Sequence, residues 1–311
     1  MKKIKIAVVG VGHLGSRHLK VYSQLKDKVE LVGISDLNPE TGQKLAREYR
    51  TIFFPDYKKL LGQIEAVNIC TPTVSHFEVA SFFLDHGVHT FIEKPIAMDV
   101  AQADTLIAKA RAQNVKIQVG HIERFNSAFQ AIKDIARNPI FIECHRLNHF
   151  PNRSLDIGVT MDLMIHDIDI VQGLMDSPVK EIRAIGVNVL TDKDDISNVR
   201  LTFENRSVCN LTASRISPEI MRKIRIFVPN AYISLDYVKQ EAFVYRKENG
   251  AINRTALPIE KEEPLKKELE HFIDCVREDK KPLVAGEEGR DALKTALNIQ
   301  DIIWNEHLRR S

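Results

Sequence analysis

Between Ile4 and Val119 the chain alternates short β-branched apolar runs with helix-length amphipathic stretches. A strand is expected over 4–9, where Ile4-Lys5-Ile6-Ala7-Val8-Val9 is apolar but for Lys5, as suits a strand covered on both faces. Further strands are predicted over 29–34, 66–70, 88–92 and 115–119, with helices over 14–25, 39–49, 77–86 and 100–113 between them. Pro39 suits the first turn of the second helix. Strands separated by helices of this length pair in parallel through right-handed crossovers.

After Gly120 the rhythm changes. Helices over 125–136 and 159–175 flank a strand over 141–147, and strand-like runs follow over 179–190, 197–204, 207–215, 223–229, 231–236 and 241–246. Val199, Leu201 and Phe203 alternate with polar neighbours, which suits an antiparallel sheet buried on one face. Helices over 264–278 and 287–306 close the chain. The expectation is a parallel α/β domain over 1–120, then an α+β domain over 121–311 with a large open, mainly antiparallel sheet. A length of 311 residues fits two domains.

Composition excludes more than it selects. Lys plus Arg is 44 and Asp plus Glu 42, so a net charge of +2 gives no bulk attraction to nucleic acid or anionic membrane. Cys70, Cys144, Cys209 and Cys275 are spaced too widely for a close-set zinc or disulfide framework, and free buried thiols in a reducing compartment are expected. The start Met1-Lys2-Lys3-Ile4-Lys5 leads into a glycine-rich turn rather than a cleavage site, and no run of eighteen apolar residues occurs. A cytoplasmic location is expected.

Gly10-Val11-Gly12-His13-Leu14-Gly15 lies directly after the first strand and opens the first helix. In that context the glycines serve a tight turn, a close backbone approach to a pyrophosphate, and close helix–sheet packing. The helix N-terminus adds N–H groups and positive dipole. Asp36 follows Gly15 by 21 residues, where a carboxylate accepts from ribose hydroxyls and repels the extra phosphate of NADP. The bland readings are a plain turn for the glycines and a helix cap before Pro39 for Asp36. The string in its place predicts a Rossmann-type domain that binds NAD.

Two further constellations carry reactive groups. Glu93-Lys94-Pro95 ends the predicted strand at 88–92, at the carboxyl edge where ligands bind in such sheets. Asp162 and His166 are spaced i, i+4, so one helical face would carry both amid Leu163, Met164, Ile165 and Ile168. A carboxylate and an imidazole on a buried helix require partners, so a satisfied core pair is the plain alternative. His145 and His149 lie on another segment and no three-ligand spacing is evident, so no metal centre is expected.

Taken in order, Gly10–Gly15, Asp36, Thr71-Pro72-Thr73 with His76, Glu93-Lys94-Pro95, the Asp162/His166 pair and the ending around Pro282 and Gly286–Gly289 resemble the glucose-fructose oxidoreductase / inositol dehydrogenase / MocA family. The resemblance implies that Gly10, Gly12, His13, Leu14, Gly15, Asp36, Thr71, Pro72, His76, Glu93 and Lys94 line the cofactor. It also implies that Lys94, His166 and Asp162 carry the chemistry of oxidising a secondary alcohol. Within the family, His121–Asn126, Met161–Asp169 and Arg222–Phe227 resemble the bacterial UDP-N-acetylglucosamine 3-dehydrogenases. That closer likeness implies an NAD-dependent oxidation to a 3-keto sugar nucleotide, which an aminotransferase then converts for lipid A synthesis.

His166 is the natural base, Asp162 would hold its ring or a sugar hydroxyl, and Lys94 would stabilise the developing alkoxide. Lys94 as the base is the alternative, if burial lowers its pKa. Arg124, Arg153 and Arg215 are candidates for a diphosphate, because a guanidinium meets phosphate as a bidentate fork, and Asn126 and Asn148 for sugar or nucleotide groups. Ordinary ion-paired arginines are the plain reading. A free-polyol dehydrogenase and a non-catalytic NAD sensor are the rival functions, and the open sheet suggests a homodimer or homotetramer.

Overall fold

The computed structural model describes residues 2–150 and 157–310. It divides into two compact units, one running to Ile122 and resumed over Glu263–Asp291, the other covering Glu123–Glu262 and the chain from Ala292.

The first unit carries β1 (Ile4–Val9), α1 (His13–Gln24), β2 (Val29–Ser35), α2 (Pro39–Tyr49), β3 (Ile52–Phe54), β4 (Ala66–Ile69), α3 (His76–Asp85), β5 (His89–Glu93), α4 (Val100–Ala112) and β6 (Ile117–Gly120). Its six strands are all parallel in the order β3-β2-β1-β4-β5-β6. The order reverses between β1 and β4, and the carboxyl ends of those strands are where a ligand crevice forms in such sheets. β4 and β6 are buried along their whole length, as strands covered on both faces must be.

The second unit opens with α5 (Ser127–Ile132) and β7 (Phe141–Leu147). A π-helical turn, Thr160–Met164, then leads into α6 (Ile165–Met175). The remaining strands are β8 (Val179–Val187), β9 (Ile196–Phe203), β10 (Val208–Ser214), β11 (Met221–Val228), β12 (Ala231–Asp236), β13 (Glu241–Glu248) and β14 (Ala251–Ala256). They form one eight-stranded sheet, β14-β13-β12-β11-β7-β10-β9-β8, antiparallel except where β10 runs parallel to β7. Ile142 and Cys144 of β7, Val199 and Leu201 of β9, Leu211 of β10 and Ile224 and Ile226 of β11 fill its buried face. On the opposite, half-exposed face Phe141, Phe227, Tyr232 and Tyr245 form a ladder across four strands, with ring centroids 4.9–5.5 Å apart.

The chain closes with α7 (Pro264–Glu278) and α8 (Gly286–Arg310). The expectation that everything after 120 belongs to the second domain needs correction at 263–291. Leu265, Leu269, Phe272 and Ile273 make a helical stripe on α7 that packs into the first unit's core with Ile4, Leu19, Tyr22 and Phe91. Each such side chain, fully buried, contributes about 1.5–3 kcal/mol, and this stripe decides where the helix belongs.

Candidate functional site

Gly10 has φ +81°, and a Cβ there would sit 2.7 Å from the backbone nitrogen of Thr71. A Cβ on Gly15 would lie 1.8 Å from the Gly10 carbonyl oxygen. Both glycines are therefore demanded by packing within the unit. Gly12 is different: a Cβ there meets nothing within 4 Å. It is the N-cap of α1, has no side-chain cap, and no acidic residue occupies the first turn. Space, helix dipole and backbone N–H groups thus suit a pyrophosphate. His13 and Leu14 are exposed beside it.

Asp36 stands at the end of β2 and accepts from Val11 N at 2.7 Å and Asn38 N at 2.8 Å. The cap of α2 is Asn38, whose side chain accepts from Glu40 N and Thr41 N, so Asp36 is not the cap. A carboxylate has about four acceptor positions, which leaves capacity for ribose hydroxyls.

Thr71 and Pro72 follow β4, and Lys94 follows β5, with the Lys94–Pro95 peptide in the cis form. His76 joins these two turns: its ring nitrogens face Pro95 O at 2.9 Å and Thr71 O at 2.8 Å. It is buried, and burial pulls its pKa down against those carbonyls. His76, expected beside the cofactor, thus ties the turn after β4 to the turn after β5. The Glu93 carboxylate turns inward, meets Nε2 of His18 at 3.0 Å, and accepts from Lys94 N at 3.2 Å. Burial opposes the His18 cation, but Cys70 and Glu93 outweigh it and hold the imidazole well above its usual pKa. Lys94 itself is half-buried at the sheet edge.

His18 escaped the sequence reading, although a histidine on the same helical face as Leu19 and Tyr22 is a polar break in an apolar stripe. Its Nδ1 lies 3.2 Å from Asn68 Oδ1, which also accepts from Tyr22 at 3.0 Å. His18, Cys70 and Glu93 offer ligand atoms within 4.8 Å of one another. His18 already faces Asn68 and Glu93, and Cys70 accepts from Asn68 Nδ2 at 2.9 Å, so the cluster is a hydrogen-bonded network.

In the second unit, Asp162 lies in the π-helical turn and His166 in the first turn of α6; both are half-buried. Single-turn π segments widen the helix and recur at functional sites, and here one replaces the regular i, i+4 helix expected across the pair. Two acidic residues just after His166 in the buried stripe are tied down by arginines. Arg146 meets Asp167 at 2.7 and 2.9 Å and Glu123 at 2.8 Å. Burial disfavours the Arg146 cation, but Asp167 and then Glu123 outweigh it and raise its pKa well above the ordinary value. Arg124 grips Asp169 through Nε at 2.7 Å and Nη2 at 3.0 Å. These pairs pin α6, and with it His166.

The substrate-ligand expectations fare unevenly. Arg124 is committed to Asp169, as above. Arg215 is buried and donates to Asp195 at 2.8 Å, Ile157 O at 2.8 Å and Thr191 Oγ1 at 2.7 Å, so its fork serves the fold. Asn126 is the buried N-cap of α5, accepting from Ala128 N at 3.0 Å and donating to Tyr237 O at 3.1 Å. Asn148, half-buried, stands at the end of β7 with its backbone held by Ser214 and Ser217. Arg153 lies outside the described residues. Glu123, Arg146 and Asp167 were missed; the available signal was a charge at Arg146, on the inward-facing side of a strand that also buries Ile142 and Cys144.

Comparison with known proteins adds an independent line. Residues 4–121 match the NAD-binding Rossmann domain of an oxidoreductase family, and residues 110–233 match the GFO/IDH/MocA C-terminal domain. The chain is 36% identical to UDP-N-acetylglucosamine 3-dehydrogenase of Acidithiobacillus ferrooxidans over 96% of this chain and 97% of that protein. A solved structure of that enzyme superposes with TM-score 0.93, covering 97% of this chain and 98% of the other. Myo-inositol 2-dehydrogenase of Thermotoga maritima is 27% identical over 93% of each chain. No helix among the described residues is long and apolar enough to cross a membrane.

Proposed function

The chain belongs to the GFO/IDH/MocA oxidoreductase family, and from that premise we propose that it oxidises a secondary hydroxyl of a sugar nucleotide, C3 of UDP-N-acetylglucosamine, with NAD in preference to NADP. The observation that carries this reading is the 36% identity, sustained over 96% of the chain, to an enzyme named for that reaction. Bound NAD supplies the hydride acceptor. His166 takes the hydroxyl proton, Asp162 orients the imidazole or a sugar hydroxyl, and the Lys94 ammonium donates to the oxygen as negative charge develops there. With the base role given to Lys94 instead, His166 becomes the hydrogen-bonding partner. Asp36 favours NAD because a second phosphate on the ribose would meet its carboxylate.

The half-exposed aromatic ladder of the second sheet favours self-association into a dimer or tetramer through that face, which light scattering would test. The 3-keto product is a substrate for a transaminating enzyme. The deciding experiment follows cofactor reduction by absorbance with UDP-N-acetylglucosamine, N-acetylglucosamine and myo-inositol, each with NAD and NADP. Turnover is expected with the sugar nucleotide and NAD. Turnover only with myo-inositol would replace this reading by the polyol one, and none with any partner would favour an NAD sensor.

A further inference from the structure

With Arg124 and Arg215 committed to carboxylates, the second unit still holds, among the described residues, a guanidinium with donors to spare. Arg222 lies on β11 directly opposite Arg146 of β7, so the two side chains stand side by side on one face of the sheet. Arg146 spends its donors on Asp167 and Glu123. The Nε of Arg222 is buried and has no hydrogen-bond partner among the described residues. Its Nη2 reaches Asn148 Oδ1 at a long 3.4 Å. Burial, and then the neighbouring Arg146 cation, pull the pKa of Arg222 below the ordinary guanidinium value, against the pull of Glu123 and Asp167. Burial and a like charge therefore both act against this cation, and an arriving anion would relieve them.

We propose that Arg222, with Asn148 beside it, forms an oxyanion subsite that takes a phosphate group of the substrate. The subsite rests on the sugar-nucleotide reading above. A guanidinium with free Nε and Nη donors matches phosphate oxygens as a fork, and the Asn148 amide adds two donors once it turns from Arg222. Backbone hydrogen bonds at Asn148, from its own N–H to Ser214 O at 2.8 Å and from Ser217 N–H to its carbonyl at 3.1 Å, hold that amide at the end of β7. Arg146 links the subsite to the chemistry, because the Asp167 it grips is the next residue after His166. An anion at Arg222 would thus lie one strand away from the pair that positions the proposed base.

Titration calorimetry on the full chain, with UDP and uridine as probes, tests this. The wild type is expected to bind UDP more tightly than uridine. Arg222→Gln should lose about 10-fold or more in UDP affinity while its uridine and NAD affinities stay the same. Arg222→Lys should fall between, since it keeps the charge and loses the fork, and it decides the matter if Arg222→Gln fails to fold. Asn148→Ala should show a smaller loss. A folded Arg222→Gln protein with wild-type UDP affinity overturns the subsite and leaves the proposed function standing, as does a loss confined to Arg153→Gln. Equal binding of UDP and uridine by the wild type refutes the sugar-nucleotide reading itself, and the subsite with it.

Discussion

In the first unit the groups proposed to meet the cofactor are mainly backbone: the Gly10–Gly15 turn, the N-terminus of α1 and the turns that carry Thr71 and Lys94, with Asp36 as the main side chain. In the second unit the proposed reactive pair, Asp162 and His166, rides on a helix held by Arg146–Asp167 and Arg124–Asp169, whose members lie 21 and 45 residues apart in the chain. Backbone sites tolerate little change of shape, because a Cβ in the wrong place has no room. Ion-pair sites tolerate little change of charge, because removing one partner strands the other in a low-dielectric interior. The same kind of conservative substitution should therefore damage the two units differently.

The largest effect is expected in the second unit. Asp167→Asn leaves the buried Arg146 with Glu123 as its remaining carboxylate and should destabilise the fold by about 3–5 kcal/mol, read by chemical denaturation. A loss below about 1 kcal/mol would mean that the pair does not hold α6. Next, Lys94→Ala and His166→Ala should each lower kcat about 10²-fold or more, close to 2.7 kcal/mol, with little change in NAD affinity. Full turnover by either variant would remove that residue from the mechanism.

A smaller, sharper contrast lies inside the glycine turn. Gly15→Ala forces a methyl group against the Gly10 carbonyl and should cost about 1–3 kcal/mol of stability. Gly12→Ala meets no protein atom, so its melting temperature should stay near wild type while NAD affinity falls. Loss of stability in both variants, with unchanged NAD binding in the second, would make the turn purely structural.

The smallest effect separates the units by pH. Burial opposes ionisation of Asp195, but the Leu190 N–H, Arg215, and the groups of Val189 and Thr191 outweigh it, and its pKa falls far below the ordinary value. Its folded form binds a proton less readily than the unfolded chain, so its stabilisation is whole above about pH 4 and drains as pH falls through the lower folded value. His18 in the first unit has the opposite sign: its pKa is raised, so its contribution is whole below about pH 6.5 and is lost as pH rises through the higher folded value. Asp195→Asn should flatten the acid side of a plot of melting temperature against pH, and His18→Gln the alkaline side. Unchanged slopes would show that neither group titrates with folding.

Legibility in the sequence divides along the same line. The helix Pro39–Tyr49 and the strand Ala231–Asp236 stand where their local patterns placed them. Strand Ala251–Ala256 was missed because all six of its residues are exposed, so no apolar alternation marks it. Strand Ile52–Phe54 is too short for a period to show. The helix expected over 125–136 shrinks to Ser127–Ile132, started by the Asn126 cap. At the site, the tight Gly10–Gly15 turn and the place of Asp36 beside it were legible because both depend on neighbours in the turn and at the end of one adjacent strand. His76 and Glu93 were legible as a motif, but their inward contacts with Pro95, Thr71 and His18 were not, since only packing brings those partners together.

What the residues determined unaided was the alternation of strand and helix in the first unit, the mainly antiparallel sheet of the second, and which residue types stand at Lys94, Asp162 and His166. Those depend on periodicity and on contacts a few residues away, which spacing encodes directly. Tertiary structure alone decided which arginines were already committed, that α7 returns to the first core, and that the Nε of Arg222 has no partner among the described residues. A buried charge is satisfied by whatever carboxylate the fold brings to it, and no local pattern records a partner that arrives from another strand.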